Sequence, residues 1–120
     1  MREILFRGKR VDNGEWVYGW FCRVGDKYAN IVEKDTEVLC SVSTKTIGQY
    51  TGLTDKNGKK IFEGDIIVVS TSEKGKTKKY RVEFDNGIFG IRFPAHAYNN
   101  TIIPLRSFDY IEIIKGEEND

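Results

Sequence analysis

The sequence predicts a mainly β protein: antiparallel meanders that build a small barrel region, an additional N-terminal β-meander, and little helix. Three observations predict it. Asn-Gly pairs recur at Asn13-Gly14, Asn57-Gly58 and Asn86-Gly87, each between runs of alternating polarity. Those runs repeat with period two, and no long stretch carries the 3.6-residue period of a helix. Composition agrees: seven Phe, six Tyr, two Trp and twelve Gly against two Pro suit short strands and tight turns.

In sequence order, Ile4 to Arg7 is a short strand and Val11 to Glu15 holds the first Asn-Gly turn. Trp16 to Arg23 is a strand with sharp alternation. Trp16, Tyr18, Trp20 and Cys22 share one face, and Val17, Gly19, Phe21 and Arg23 share the other. A turn at Gly25-Asp26 leads into a strand over 27–32. Residues 33–36 are a polar connection, and the weakest seam in the sequence falls there. Glu37 to Ser43 alternates as a strand, and Ser43 to Gly48 has room for one helical turn.

From Gln49 to Val68 the pattern is strand, Asn57-Gly58 turn, strand, Glu63-Gly64-Asp65 turn, strand. Gly64 supplies a backbone conformation closed to other residues. Ile66 to Val69 is apolar on both faces, as a central strand requires. After a Gly- and Lys-bearing loop at 72–77, Lys79 to Phe84 alternates, with Tyr80, Val82 and Phe84 expected inward. Asn86-Gly87 turns the backbone into a strand over 88–93. Residues 94–100 are irregular, 101–105 read as an edge strand because Pro104 cannot donate to a ladder, and 108–115 form a last strand before an acidic tail. The whole, residues 1–120, reads as one domain with sub-units 1–35 and 36–120.

Charge and length exclude several classes. Nineteen basic residues against eighteen acidic give a net charge of +1, without a whole-protein pull toward nucleic acid or anionic lipid. No apolar run approaches the roughly 18 residues that span a bilayer, so no membrane partner is expected. The opening Met1-Arg2-Glu3-Ile4 lacks a signal-peptide pattern, and the two cysteines, Cys22 and Cys40, read as buried reduced thiols, which together predict a cytoplasmic protein. Two cysteines and His96 do not supply four zinc ligands, and no cofactor is expected.

Four groups of residues carry chemistry worth weighing. Glu63 and Asp65 flank Gly64 as a paired carboxylate, but a Glu-Gly-Asp turn before an apolar strand is explained by turn chemistry alone. Lys74, Lys76, Lys78, Lys79 and Arg81 form a basic hairpin able to hold phosphates, or a solvated edge that resists sheet-to-sheet pairing. Trp16, Tyr18 and Trp20 form a stripe suited to a core or to an interface between copies, or else to stacking on a ligand. His96 lacks a neighbouring nucleophile and acid at catalytic spacing and reads as a loop histidine.

Residues 1–7, the block from Gln49 to Ile67 and the Val82 to Gly87 hairpin resemble the YopX family of phage and prophage proteins over most of the sequence. One departure is visible: many relatives end in Gly-Asn-Ile-Tyr-Glu, where this protein has Asp109 to Lys115. The resemblance implies a small barrel similar to Src-homology-3 folds, a phage or prophage origin within a bacterial host, and homo-oligomer formation. It implies no activity, since it carries no catalytic residue or substrate onto these positions. Residues and resemblance together predict a non-enzymatic accessory protein that binds an unidentified protein partner and self-associates. The alternatives are a nucleic-acid-binding barrel using the Lys74–Arg81 hairpin, and a small-ligand carrier or enzyme with a pocket near His96, Glu63 and Asp65.

Overall fold

The computed structural model describes residues 3–69, 79–92 and 102–114. Among them lie twelve strands: β1 (Phe6–Lys9), β2 (Trp16–Val24), β3 (Tyr28–Glu33), β4 (Leu39–Ser43), β5 (Gly48–Thr54), β6 (Lys60–Phe62), β7 (Ile66–Val69), β8 (Tyr80–Arg81), β9 (Glu83–Asp85), β10 (Ile88–Arg92), β11 (Ile102–Pro104) and β12 (Ile111–Ile113). Two single 3-10 turns, Thr44–Thr46 and Leu105–Ser107, are the only helical pieces among the described residues. The protein is mainly β and its described pairings are antiparallel. They form open sheets of six, three and three strands; the closed barrel expected from the sequence is not among them. The protein packs as two compact units that part between Gly52 and Leu53. The seam expected near 33–36 is instead a hairpin turn inside the first unit, closed by the Glu33 N–H donating to Val38 O at 2.9 Å.

In the first unit the hydrogen-bonded order is β4-β3-β2-β1-β5. Register decides which face is core. Phe6 lies opposite Gly19 and Gly8 opposite Val17, while Phe21 lies opposite Ile31 and Ile31 opposite Cys40. Val17, Ala29, Ile31, Cys40 and Val42 are buried together on that face. The sheet curls so far that Arg10 bridges back to Val42 and the Val11 N–H donates to Ser41 O at 3.1 Å. Gly8 permits the curl: a Cβ there would stand 2.9 Å from Val42 Cγ2 and 3.3 Å from Ile31 Cδ1. Thr46 ties the 3-10 turn to this edge, accepting from the Lys9 N–H at 2.8 Å and donating to Ser43 O at 2.7 Å.

The Trp16, Tyr18, Trp20 face is therefore not the core. A curled interior with a glycine-to-valine contact holds β-branched and small side chains, and three large rings do not fit. Cys22 is also not buried. The β2–β3 register shifts between Phe21 and Arg23, and Cys22 sits exposed in that irregularity, while Cys40 is buried as expected.

The second unit starts with the hairpin that joins β5 to β6. Only Gly58 takes positive φ there, at 81°, and the Gly58 N–H donates to Asp55 O at 3.0 Å. The Asp55 carboxylate does the rest: Oδ1 accepts the Asn57 and Lys59 N–H groups, each at 2.9 Å, and Oδ2 accepts the Ile113 N–H at 3.1 Å. One buried residue thus closes a turn and anchors β12, 58 residues away.

β7 is the central strand of the order β12-β7-β8, with Ile67 fully buried. The alternation expected over 79–84 holds through buried Val82 and then fails, since Phe84 is exposed. The cause is a change of sheet. Val82 interrupts the strand, its N–H donates to Asp65 O and its carbonyl accepts the Gly64 N–H, both at 2.8 Å. β8 before it pairs with β7, and β9 after it pairs with β10. Ile61, Ile67, Val69, Val82, Ile91, Leu105 and Ile111 form the core of this unit. β11, carrying Pro104, lies at the edge of the order β11-β10-β9.

Burial pushes the Asp55 carboxyl upward, but the Ile113, Lys59 and Asn57 N–H groups outweigh it and hold its pKa below the ordinary carboxylate value. A carboxyl depressed on folding contributes stability that is full above its unfolded pKa, about 3.9, and is lost as pH falls through the folded value. Urea denaturation is expected to show a steep loss of stability below about pH 4, a limb that Asp55→Asn flattens. Asp55→Ala removes the acceptor of three amides and is expected to cost about 3 kcal/mol at neutral pH.

Candidate binding groove and aromatic row

Two turns of the first unit are built alike. In the first, Arg10 N–H donates to Glu15 O at 2.9 Å and Gly14 N–H to Arg10 O at 3.0 Å. In the second, Glu33 N–H donates to Val38 O at 2.9 Å and Glu37 N–H to Glu33 O at 2.8 Å. Each turn ends on a residue of positive φ: Gly14 at 74° and Glu37 at 61°. Each also recruits a side chain for its inner amides. Asn13 Oδ1 accepts the Glu15 N–H at 2.9 Å, and the Glu33 carboxylate accepts the Asp35 and Thr36 N–H groups at 2.9 and 3.2 Å.

Between the turns lies an open groove of about 520 Å³. Trp16 and Tyr18 line it with Val38, and Arg10, Glu15, Glu33, Lys34 and Asp35 supply its charge. Trp16 is held by cations on its own sheet: the Arg7 guanidinium carbon stands 4.1 Å and the Lys9 ammonium 5.2 Å from the ring centroid. Arg10 is engaged by Asp12 through two hydrogen bonds, of 3.0 and 2.8 Å. That contact raises the guanidinium pKa and lowers the Asp12 carboxyl. Glu33 is likewise held below its ordinary value, chiefly by the Asp35 N–H. Acids depressed in this way stay ionised at neutral pH and are poor proton donors. The groove presents two ring faces beside charges that are fixed by hydrogen bonds.

Trp20, the third member of the stripe, stands apart from the groove. It is 46% exposed, and its Nε1–H donates to Ile4 O at 3.0 Å, which pins the ring. It lies opposite Val32, which lies opposite Leu39, itself 55% exposed. The three make a continuous apolar row across β2, β3 and β4.

The other sequence-derived candidates are dispersed. Asp65 is buried, with Oδ2 accepting the Phe62 N–H at 2.8 Å, while Glu63 beside it is half-buried. Gly64, at φ 95°, donates its N–H to Val82 O, so this trio serves the sheet change. Lys79 and Arg81 are exposed at β8; Lys74, Lys76, Lys78 and His96 lie outside the described residues. Among the described residues no three His, Cys, Asp or Glu side chains converge to hold a metal ion. No helix there is long and apolar enough to cross a membrane.

The model of the family described as YopX protein matches residues 5–114. The chain belongs to the YopX family. Among solved structures, the crystal structure of protein EF1440 from Enterococcus faecalis is similar in fold. The match has a TM-score of 0.53 and 21% identity, and covers 95% of this chain and 92% of that one. No curated protein matches it.

In this YopX-family protein the aromatics that line the groove stand out in the sequence, and its second wall does not. Glu33 to Thr36 read as a plain polar connection, yet Glu33 organises that wall and Glu37 takes a backbone conformation usual for glycine. The positional match between Glu37 and Gly14 is present in the spacing: each stands four residues after the residue that opens its turn. A left-handed non-glycine residue costs about 1–2 kcal/mol. Glu37→Gly is expected to gain about 1 kcal/mol in urea denaturation, whereas Glu37→Val, β-branched at the same φ, is expected to lose stability. A Val variant as stable as the parent would show that the turn relaxes.

Proposed function

We propose that this YopX-family protein is a non-enzymatic binding module of phage or prophage origin, working in the cytoplasm of the bacterial host. It self-associates through the apolar row of its N-terminal sheet. One observation carries the reading: Trp20, Val32 and Leu39 form a continuous row that includes an exposed indole pinned by its own N–H. Exposed apolar area concentrated in one row favours a partner, and Trp is among the residues enriched where proteins meet. A second copy is the occupant that fits, because a twofold contact sets the same row against itself with no foreign complement needed. The groove beside Trp16 and Tyr18 then serves a protein partner, its ring faces and fixed charges suiting an extended segment.

Light scattering and sedimentation from low micromolar to millimolar concentration are expected to show reversible association. Trp20→Ser is expected to weaken it by about 2 kcal/mol, roughly thirtyfold in the dissociation constant, with the far-UV spectrum unchanged. A protein that stays monomeric throughout, or associates equally well without Trp20 and Leu39, counts against this reading.

A second reading rests on exposed Lys79 and Arg81, the described part of the basic hairpin. Nucleic-acid binding there would weaken steeply with salt, because each phosphate contact releases counterions. A mobility-shift titration at low salt, with Lys79→Ala and Arg81→Ala compared, is expected to detect no complex if the protein-binding reading holds. A salt-sensitive complex lost in both variants would favour the nucleic-acid reading instead.

A further inference from the structure

We infer that Asn86 is a site of spontaneous covalent modification, singled out among the three Asn-Gly pairs by how the backbone is bonded. In such a pair the glycine backbone nitrogen attacks Cγ of the asparagine amide. A ring C–N bond forms, the bond from Cγ to the amide nitrogen breaks, and ammonia departs with the proton from the glycine nitrogen. Water then opens the cyclic imide at either carbonyl, leaving aspartate or isoaspartate. The reaction needs a glycine N–H that is not committed to an acceptor and an asparagine amide free to turn toward it.

Two pairs fail that requirement. Gly14 N–H donates to Arg10 O at 3.0 Å, and Asn13 Oδ1 is occupied by the Glu15 N–H. Gly58 N–H donates to Asp55 O, also at 3.0 Å, inside the turn that the Asp55 carboxylate locks. The third pair differs. Asp85 lies opposite Ile88, so Asn86 and Gly87 are the two central residues of the tightest hairpin turn. Their φ values, 56° and 78°, are those of a type I′ turn, in which the second central N–H points away from the ladder. Both residues are exposed, and among the described residues neither the Gly87 N–H nor the Asn86 amide makes a hydrogen bond. Open space is not the discriminator, since a Cβ at position 14, 58 or 87 would meet nothing within 4 Å. Hydrogen bonding is.

The site has a consequence for β9 and β10. Aspartate at 86 sets a third carboxylate beside Glu83 and Asp85, which already share Arg92. Isoaspartate adds a methylene to the backbone of a two-residue turn and shifts the Asp85–Ile88 register on which the Phe84–Phe89 ring pair depends.

The full-length protein incubated at mildly alkaline pH, folded and in denaturant, is to be followed by peptide mass spectrometry with isoaspartate detection. In the folded protein Asn86 is expected to convert severalfold faster than Asn13 or Asn57, yielding both acid isomers. In denaturant the three rates are expected to converge. Asn86→Gln is expected to abolish the fastest conversion and leave the other two unchanged. Conversion at Asn13 or Asn57 as fast as at Asn86 in the folded protein would overturn the inference. So would a folded protein in which Asn86 stays intact while the denatured form reacts.

Discussion

Short strands leave many backbone amides beyond the reach of a ladder, and a buried amide without an acceptor costs about 1–3 kcal/mol. The fold meets this constraint with carboxylates at the turns, two of them buried and one at an exposed turn. Asp55 takes three amides, two from its own hairpin and one from β12. Asp65 takes the Phe62 amide where the backbone changes sheets. Glu33 takes two amides of the turn before β4. This accounts for acids that look catalytic in one dimension. Glu63 and Asp65 are two apart, yet Asp65 is committed to the backbone through the Phe62 amide.

The same economy explains the curl of the N-terminal sheet. Its interior is narrow because Gly8 lets Val42 approach the β1 backbone, and Arg10 and Val11 complete the curl by bonding to β4. A narrow interior selects Val17, Ala29, Ile31, Cys40 and Val42. Trp16, Tyr18 and Trp20 are left on the other face, where cations cover Trp16 and Trp20 remains open. The aromatic row is thus a by-product of packing geometry before it is anything else: once small residues own the inside, Trp20 and Leu39 have only the outside.

How much of this is legible in the sequence follows from which distances matter. The turns are readable because Asn-Gly acts over two or three residues. Strand existence is readable because alternation acts over five or six, and β7 is recognisable as central from an apolar run on both faces. The choice of buried face is not, since Trp16, Tyr18 and Trp20 outweigh Val17, Gly19 and Phe21 in hydrophobic area. The decision lies instead in Gly8, Ile31 and Val42, which sheet pairing and the curl bring together from β1, β3 and β4. The break at Val82 is hidden for the same reason: its partners, Gly64 and Asp65, are far along the sequence. Even the Asn-Gly signal is degenerate. One dipeptide yields a Gly14 turn shared in form with Glu37, a Gly58 turn locked by Asp55, and a two-residue turn at Asn86-Gly87.

Likeness in fold at 21% identity is what these constraints lead one to expect. Amide satisfaction, glycine at close approaches and β-branched interiors are conditions many sequences meet, so one architecture is open to dissimilar sequences. A side chain that stability does not require then becomes the more informative one. Trp20 spends its only polar atom on Ile4 O and keeps nearly half its surface in water. Folding alone gains little from that arrangement, because a smaller residue on the open face exposes less apolar area at the same backbone pairing. Under the proposed self-association, a pinned, exposed indole would meet its partner with the entropy of fixing the ring already spent.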